Sequence, residues 1–299
     1  MASLKIKKIK RFVHPYRVTR GKDFRLKDFD PGDTHGLKSE FKGEAKALLE
    51  SGVAWLTDEQ QRLYAQDRWS VLLIFQAMDA AGKDGTIKHV MSGVDPQGVQ
   101  VHSFKSPSNE DLDHDFLWRC AKALPERGRI GIFNRSYYEE VLIVRVHRQL
   151  LEKQKLPPER VTRDIWEERY EAINAFEHYL ARNGCLILKF FLHVSKKEQK
   201  RRFLERLDEP EKNWKFSSAD VRERQYWGDY MKCYDDMIRH TATKHAPWYV
   251  VPADNKWFTR LVVSGAIVDA LEDLDLRLPK VDKGKLKELA LARQLLMSE

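Results

Sequence analysis

The segment Phe75–Thr86 (FQAMDAAGKDGT) contains residues whose types and spacing could bind phosphate. It follows an apolar stretch, Val71–Phe75, and precedes a stretch of helical character that ends near Met91. Its alanines and glycines would let backbone N–H groups approach phosphate oxygens, and a helix N-terminus would add partial positive charge. Lys83 could reach a bridging or terminal phosphate oxygen. The segment therefore predicts a phosphate loop between a buried strand and a helix.

The phosphate loop departs from the usual pattern G-x-x-x-x-G-K-[ST] at two positions. Ala77 stands in place of the first glycine, and Asp84 in place of the serine or threonine whose hydroxyl binds Mg²⁺. We expect the Asp79 carboxylate to supply a metal ligand instead, with Thr86 as a weaker substitute. The alternative is an ordinary glycine-rich turn with a surface lysine.

A second polar cluster, Asn134–Glu140, follows another predicted strand. In parallel α/β sheets, ligands bind beyond the carboxyl ends of the strands, so this cluster should lie near the phosphate loop. Arg135 suits an anion with several oxygens, and Asn134 could bind a metal or a phosphate. Glu139 or Glu140 could act on a nucleotide hydroxyl, a base or a second metal. The alternative for the two acids is a helix N-terminus whose dipole they stabilise.

A third feature is a strongly basic stretch that opens at Ser195 with the form of a capping box. Six Lys/Arg residues between 196 and 206 face only two glutamates, so a helix there would repel itself unless an anion were bound. Cations beside a transferred phosphoryl group stabilise its transition state. Trp214 and Lys215, in the following turn, could fold over such a site. The alternative is a solvated charged helix face.

The elements that must position these groups alternate between strand and helix patterns. Short apolar runs bounded by polar residues predict five strands: Val71–Phe75, Val99–Phe104, Arg129–Phe133, Cys185–Leu192 and Trp248–Val251. Helices are predicted from Thr57 to Gln66 behind a capping box, from Glu110 to Ala123 behind Asn109, from Thr162 to Gly184, and from Ala219 to His240. This order predicts an α/β fold with a parallel sheet covered on both faces. The helical excursion at about 195–240 could form a lid.

Composition limits the class of protein. The 299 residues carry a net charge of +8, which favours an acidic partner such as nucleic acid, anionic lipid or a polyanion. No apolar run approaches the roughly 18 residues that span a bilayer. Three widely spaced cysteines fit reduced thiols in a cytoplasmic protein. Residues 1–28 hold ten Lys/Arg and two Asp, which indicates a basic arm rather than a core element.

Together these segments resemble the polyphosphate kinase 2 family between about residues 60 and 275. The resemblance is carried, in the expected order, by MDAAGKDG (78–85), FNRS (133–136), FFLHVSKKEQ (190–199), KNWKFS (212–217), APW (246–248) and PAD (252–254). It implies a P-loop kinase-like three-layer fold with a five-stranded, mostly parallel sheet and a helical lid. It also implies inorganic polyphosphate as phosphoryl donor, adenine nucleotides as acceptors, and Mg²⁺ or Mn²⁺ as cofactor. The likeness to the class III subgroup favours AMP and ADP as acceptors.

Carried over by position, the resemblance places Asp79 and Lys83 in the Walker A loop, and Asn134 and Arg135 at the Walker B position. Many family members have Asp where this chain has Asn134, so a metal-ligand role at 134 is in doubt. Arg201 or Arg202 would be the lid arginine. The predicted phosphate- and polyphosphate-binding residues are Ala80, Ala81, Gly82, Lys83, Asp84, Gly85, Lys88, Arg135, Arg201, Arg202 and Lys215. The predicted nucleotide-binding residues are Asn134, Tyr138, Glu139 and Glu140.

The chain is expected to divide into a basic N-terminal arm with a first helix (1–56), a phosphotransferase domain (57–280) and a C-terminal helix (281–299). We expect a homo-oligomer, a dimer or tetramer, that binds neither nucleic acid nor membrane. Two alternatives remain. One is an ATP-dependent nucleotide or small-molecule kinase of the same fold, and the other is a nucleic-acid-binding protein with a degenerate loop.

Overall fold

The computed structural model describes residues 11–299, apart from the side chains of Ser39, Lys212 and Lys215. Within that range the chain forms one sheet in the order β1-β6-β5-β2-β4-β3, in which only β1 is antiparallel to its neighbour. The strands are β1 (Arg17–Val18), β2 (Ser70–Ala77), β3 (Val99–Ser103), β4 (Ile130–Asn134), β5 (Cys185–His193) and β6 (Trp248–Pro252). Five parallel strands confirm the predicted sheet, and β1 adds a sixth.

Helices connect and cover these strands. They are α1 (Lys42–Gln66), α2 (Lys83–Val90), α3 (Asn109–Leu112), α4 (Trp118–Ala121), α5 (Ile143–Val146), α6 (Ile165–Arg182), α7 (Lys196–Asp208), α8 (Ser218–Glu223), α9 (Trp227–Thr241), α10 (Lys256–Glu272) and α11 (Lys283–Met297). Short 3-10 turns lie at His14–Tyr16, Leu26–Asp28, Ser39–Phe41, Pro96–Gly98, Tyr137–Val141, Arg148–Gln154, Pro158–Arg160, Pro210–Lys215 and Arg224–Tyr226.

The central strands are apolar along nearly their whole length, and almost all of their residues are buried. This pattern requires cover on both faces of the sheet. Helices α1, α2 and α10 pack together on one face, and α6 and α9 cover the other. The expected three-layer α/β fold is therefore confirmed.

The predicted start of the first helix was wrong. Helix α1 begins at Lys42, and Thr57 lies in its interior. The Thr57 hydroxyl donates to the carbonyls of Val53 (2.9 Å) and Gly93 (2.7 Å), so it caps nothing. A threonine inside a helix commonly bonds the carbonyl four residues back, and the sequence pattern does not separate this case from a cap. The helix also crosses the expected boundary between residues 56 and 57.

Two other predicted helices are interrupted. The stretch 110–123 forms α3 and α4, and the side chain that caps α3 is Ser108, paired with Asp111 in a capping box. The stretch 219–240 forms α8 and α9 with a 3-10 turn between them. Helix α6 starts at Ile165, three residues after the expected cap Thr162.

The described part of the N-terminal arm, residues 11–41, belongs to the core, contrary to expectation. Phe12, Val13, Tyr16, Phe24 and Leu26 are buried in the main apolar cluster. The segment has only the two-residue strand β1 and short 3-10 turns, so its buried apolar residues follow no helix or strand period. Residues 1–10 of the predicted arm lie outside the described residues.

The predicted excursion at about 195–240, between β5 and β6, consists of α7, α8 and α9 with 3-10 turns at 210–215 and 224–226. In the described part of the chain no helix is both long and apolar enough to cross a membrane.

Cys120, Cys185 and Cys233 are free thiols, and all three are buried. Helix α11 is exposed along its length.

Candidate active site

The phosphate loop connects β2 to α2 at the carboxyl edge of the sheet. Gly82 directly precedes α2 and has φ +103°, a conformation that residues with a Cβ rarely adopt. Ala80 also has a positive φ, +61°. The turn is closed by a hydrogen bond of 3.2 Å from the Ala81 N–H to the Met78 carbonyl. The predicted strand–loop–helix arrangement is present.

Lys83 is the first residue of α2, and its Nζ donates to the Ala77 carbonyl at 3.0 Å. Burial lowers the pKa of Lys83, and the Asp79 carboxylate opposes that effect. The Lys83 ammonium is partly buried beside the open cleft, and a phosphate oxygen would compensate for the water that it has lost.

The end of β4 meets the phosphate loop because β4 pairs with β2, with Asn134 opposite Phe75. Arg135 has φ +66° and its NH2 lies 3.1 Å from Asp79 Oδ1. Asn134 Nδ2 donates to Asp84 Oδ1 at 2.7 Å. Burial alone would lower the pKa of Arg135, but the carboxylates of Glu139 and Asp79 outweigh it and raise that pKa. The loop and the second cluster therefore form one charged surface.

The two candidate lid arginines differ sharply in position. Arg202 is 4% exposed, and its NH1 donates to the carbonyls of Ala80 (3.1 Å) and Ala81 (2.7 Å) in the phosphate loop. Arg201 is exposed and pairs with Glu198 and Glu205 on its own helix. Arg202 lines the cleft described next, and Arg201 does not.

A cleft of about 940 Å³ opens above the phosphate loop. Ten of the residues predicted from the sequence line it: Asp79, Ala80, Ala81, Gly82, Lys83, Asp84, Gly85, Asn134, Arg135 and Arg202. Thr86 and Trp214, which the sequence also suggested, line it as well.

Ten further lining residues were not among the predicted site residues, although Arg206 belongs to the basic stretch at 196–206. They are Ser103, Phe104, Lys105, Glu205, Arg206, Ser217, Asp220, Lys256, Thr259 and Arg260. Lys256 and Arg260 lie one turn apart at the start of α10, directly after β6. The rule that ligands bind at strand ends could have indicated them, since α10 follows a parallel strand. Burial lowers the pKa of both Lys256 and Arg260.

Several other predicted residues lie away from the cleft. Tyr138 is fully buried and donates to Glu177 at 2.7 Å, and Glu140 is buried against Arg169 (3.0 Å) and Gln154 (2.7 Å). Lys88 is exposed on α2 outside the cleft lining, and the Lys215 side chain lies outside the described residues. This geometry gives Tyr138 and Glu140 structural contacts rather than contacts with a ligand in the cleft.

Glu139 lies in the 3-10 turn after β4 and does not line the cleft. Burial raises its pKa, and the positive charges of Arg135 and Lys83 oppose that rise. Glu139 is thus an electrostatic neighbour of both cations rather than part of the cleft wall.

Oxygen donors suited to a divalent cation are present in the cleft. Asp79, Asp84 and Thr86 all line it, and carboxylate and hydroxyl oxygens are the ligands that Mg²⁺ prefers. The described residues contain no group of three or more His, Cys, Asp or Glu side chains that could hold a metal by themselves. A cation here would take its remaining ligands from water and phosphate, as Mg²⁺ usually does.

Comparison with known proteins decides the family. The sequence model described as polyphosphate kinase 2 matches residues 40–279, most of the chain. This chain belongs to the polyphosphate kinase 2 family. The resemblance drawn from the motifs is confirmed, and the match extends beyond the expected limits of 60 and 275.

Relatives and a solved structure of the polyphosphate kinase 2 family agree with this assignment. The chain is 55% identical over 259 residues to an ADP-polyphosphate phosphotransferase of Rhodopseudomonas palustris, covering 86% of this chain and 90% of that protein. It is 46% identical over 268 residues to an AMP/ADP-polyphosphate phosphotransferase of Meiothermus ruber, covering 89% and 95%. The crystal structure of polyphosphate kinase 2 from Arthrobacter aurescens superposes with a TM-score of 0.85 at 43% identity, covering 94% of this chain and 95% of the other.

Proposed function

We propose that the protein transfers phosphoryl groups from inorganic polyphosphate to AMP and ADP, in a reversible reaction. Relatives that match nearly their whole length are named for this transfer to ADP and to AMP/ADP. The observation that carries the proposal is the phosphate loop with Lys83 at the floor of a wide cleft whose walls bear further cations.

The positions of the charges suit two phosphorylated substrates. Lys83, Arg135, Arg206, Lys256 and Arg260 all line the cleft, together with Lys105 and Arg202. So many cations exceed what a single nucleotide needs, whereas a polyphosphate chain bound beside the nucleotide would use them. Phosphoryl transfer depends mainly on such positioning and charge neutralisation, with little covalent chemistry for the protein to perform.

In the forward reaction, a terminal phosphate oxygen of AMP or ADP attacks the terminal phosphorus of the polyphosphate chain. The P–O bond to the next phosphate breaks, and the shortened chain leaves with the electron pair. Lys83 and Arg135 bind the oxygens on which negative charge accumulates.

We propose Mg²⁺ as the cofactor, with Mn²⁺ as a substitute, and Asp79 as its protein ligand with Asp84 nearby. When bound, the cation neutralises phosphate charge and orients the reacting groups. Asp79 is also held by Arg135, so its carboxylate is oriented before any cation binds.

The test offers the purified protein AMP or ADP and Mg²⁺ with either long-chain polyphosphate or ATP as donor, and measures the nucleotide products. We expect ADP and ATP to form from polyphosphate. Products formed only with ATP as donor would identify an ATP-dependent kinase instead. Tight duplex binding without any phosphotransfer would favour the nucleic-acid alternative.

A further inference from the structure

Three successive carbonyls of the phosphate loop are held from outside by side chains of α7. Gln199 Nε2 donates to the Asp79 carbonyl at 2.9 Å, and Arg202 NH1 donates to those of Ala80 and Ala81. The C=O of one residue and the N–H of the next point in opposite directions across a trans peptide, so fixing these carbonyls also fixes the N–H groups of Ala80, Ala81 and Gly82. The Ala81 N–H bonds to the Met78 carbonyl, which leaves those of Ala80 and Gly82 as candidates for an anion. Such N–H groups form the anion-binding part of a phosphate loop.

Arg202 has no donor to spare for a phosphate among its contacts with the described residues. A guanidinium carries five N–H bonds. Its Nε donates to Glu198 Oε1 at 2.8 Å, NH1 serves the two loop carbonyls, and NH2 donates to the carbonyls of Ala253 (2.6 Å) and Asp254 (3.2 Å). The side chain is nearly fully buried.

The loop after β6 that receives Arg202 is itself fixed. The Ala253 N–H donates to the His193 carbonyl at 2.9 Å, and the Asp254 N–H donates to the Pro31 carbonyl at 3.0 Å. Asp254 Oδ1 accepts from the backbone N–H of Ser195, the N-cap of α7, at 2.8 Å. Arg202 therefore bridges a rigid loop and the phosphate loop.

The phosphate loop needs external support because Ala80 holds a left-handed backbone conformation. Such a conformation in a residue other than glycine persists only where the surroundings determine it. Arg202 provides two hydrogen bonds that could stabilise this conformation, one to the Ala80 carbonyl and one to the Ala81 carbonyl.

We propose that Arg202 is a positioning residue, which holds the phosphate loop in its anion-binding conformation through the loop carbonyls and does not itself bind polyphosphate. Gln199 holds the preceding carbonyl in the same way. The inference gives this lid arginine a role different from the phosphate contact expected from the sequence, and its kinetic consequences rest on the proposed function.

The test compares Arg202→Lys with the matched variant Arg201→Lys, one residue away and outside the cleft. Lysine keeps the positive charge, but its ammonium has three donors instead of five and cannot bond to the carbonyls of both loops. We expect hydrogen exchange of the amides at 79–83 to accelerate at least tenfold in Arg202→Lys and to stay unchanged in Arg201→Lys. We expect kcat to fall about 100-fold in Arg202→Lys, as for a small misplacement of reacting groups.

A second measurement separates positioning from binding. In Arg202→Leu, the slope of log KM for polyphosphate against log salt should match that of the wild type, since no phosphate contact is lost. A direct phosphate contact would instead lower the slope by about 0.7. Either that decrease, or normal kcat and normal loop exchange in Arg202→Lys, would overturn the proposal.

The exchange measurement needs no substrate, so it tests the positioning role even if polyphosphate proves not to be the donor. Thermal unfolding shows whether each variant is folded. Should the Arg202 variants fail to fold, Gln199→Met removes the bond to the Asp79 carbonyl, together with the bond that Gln199 Oε1 accepts from Arg224 at 2.5 Å. Its amides at 79–81 must then exchange faster than in the wild type, and unchanged exchange there would also refute the proposal.

Discussion

Lys83 combines three features at one position: it begins α2, it is bonded to the Ala77 carbonyl, and it borders the cleft. Partial burial lowers the pKa of Lys83 more than the Asp79 carboxylate raises it. A bound phosphate would supply the missing negative charge. The attraction to Lys83 would increase in the transition state, because negative charge accumulates there on the phosphate oxygens.

We therefore expect Lys83→Ala to lower kcat by a factor on the order of 10²–10³ while the fold is retained. Steady-state kinetics with polyphosphate and ADP would measure the change, and circular dichroism would check the fold. Lys88→Ala is the matched control, because Lys88 is exposed on the same helix outside the cleft. Normal turnover in a folded Lys83→Ala protein would contradict the role of Lys83.

At the scale of single residues, the sequence predicted the cleft residues around the phosphate loop but not those contributed by α10. Asp79, Lys83 and Arg135 stand in motifs whose local spacing implies phosphate chemistry. Lys256 and Arg260 reach the same cleft only through the pairing of β6 with β5, a tertiary relation that local spacing does not contain. Arg202 illustrates the converse: its charge suggested a phosphate contact, and its partners became visible only in the folded chain.

At the scale of elements, a buried ion pair joins β5, α6 and the turn after β4. Lys189 Nζ lies 2.6 Å from Glu177 Oε2, and both side chains are fully buried. The hydroxyls of Tyr137 (2.9 Å) and Tyr138 (2.7 Å) donate to the same carboxylate, and Lys189 also donates to the Thr241 carbonyl at 2.8 Å. The network anchors the segment that follows Asn134 and Arg135.

Removing one member of this pair should be costly, because the other charge would stay buried without its partner. We expect Lys189→Met to lower the free energy of unfolding by about 3–5 kcal/mol. The double variant Lys189→Met/Glu177→Gln should regain part of that loss. Urea denaturation measures both, and a single variant within about 1 kcal/mol of the wild type would be inconsistent with this account.

His193 ends β5 beneath the N-terminal arm. Burial lowers its pKa to about 4, although the carboxylates of Asp254 and Asp30 oppose the decrease. Since the ordinary pKa is about 6.5, the histidine is neutral in the fold at pH values where the unfolded chain would bind a proton. Its contribution to stability is therefore complete above about pH 6.5 and is lost as the pH falls toward about 4.

Between about pH 6.5 and 4, the free energy of unfolding should decrease by up to about 3 kcal/mol, since each unit of pKa difference corresponds to roughly 1.4 kcal/mol. In His193→Gln, the free energy of unfolding should change less between pH 6.5 and 4.5 than it does in the wild type. His14→Gln, at an exposed position of the same arm, serves as the control. Parallel pH profiles of His193→Gln and the wild type would refute the assignment.

The sequence located most elements because their periods are local: the strands are apolar runs, and α6 and α7 are amphipathic. The prediction failed at Thr57, because its pattern fits both a helix cap and a helix interior. It also failed in the N-terminal arm, because the arm has no periodic pattern of apolar residues. Phe12, Tyr16 and Phe24 are buried by partners far away in the chain, including Phe258, whose ring centroid lies 5.9 Å from that of Tyr16. No periodicity marks such a segment. The expected division into an arm, a central domain and a C-terminal helix stays a prediction.

At the scale of the whole molecule, the net charge of +8 and the cationic cleft walls act together on a polyanionic donor. By analogy with single-stranded nucleic acids, each phosphate contact contributes about 0.7 to the salt slope. We expect log KM for long-chain polyphosphate to rise with the logarithm of the salt concentration at a slope of about 2 or more. The corresponding slope for the KM of ADP should be smaller.

Steady-state kinetics between about 50 and 200 mM KCl would measure both slopes. Lys256→Ala and Arg260→Ala should each lower the polyphosphate slope by about 0.7 and leave that of ADP nearly unchanged. A KM for polyphosphate that does not respond to salt would show that the cleft cations do not bind the donor.

The pairing of β1 with β6 has a consequence for synthesis. Arg17 lies opposite Tyr249, so β1 leaves the ribosome about 230 residues before the strand with which it pairs. At roughly 5–20 residues per second, the apolar side chains of the arm stay without their partner strand for about 10–50 s. During that time the apolar residues of the segment 11–41 are open to misassociation, and chaperones that act during translation should influence the yield more than those that act after release.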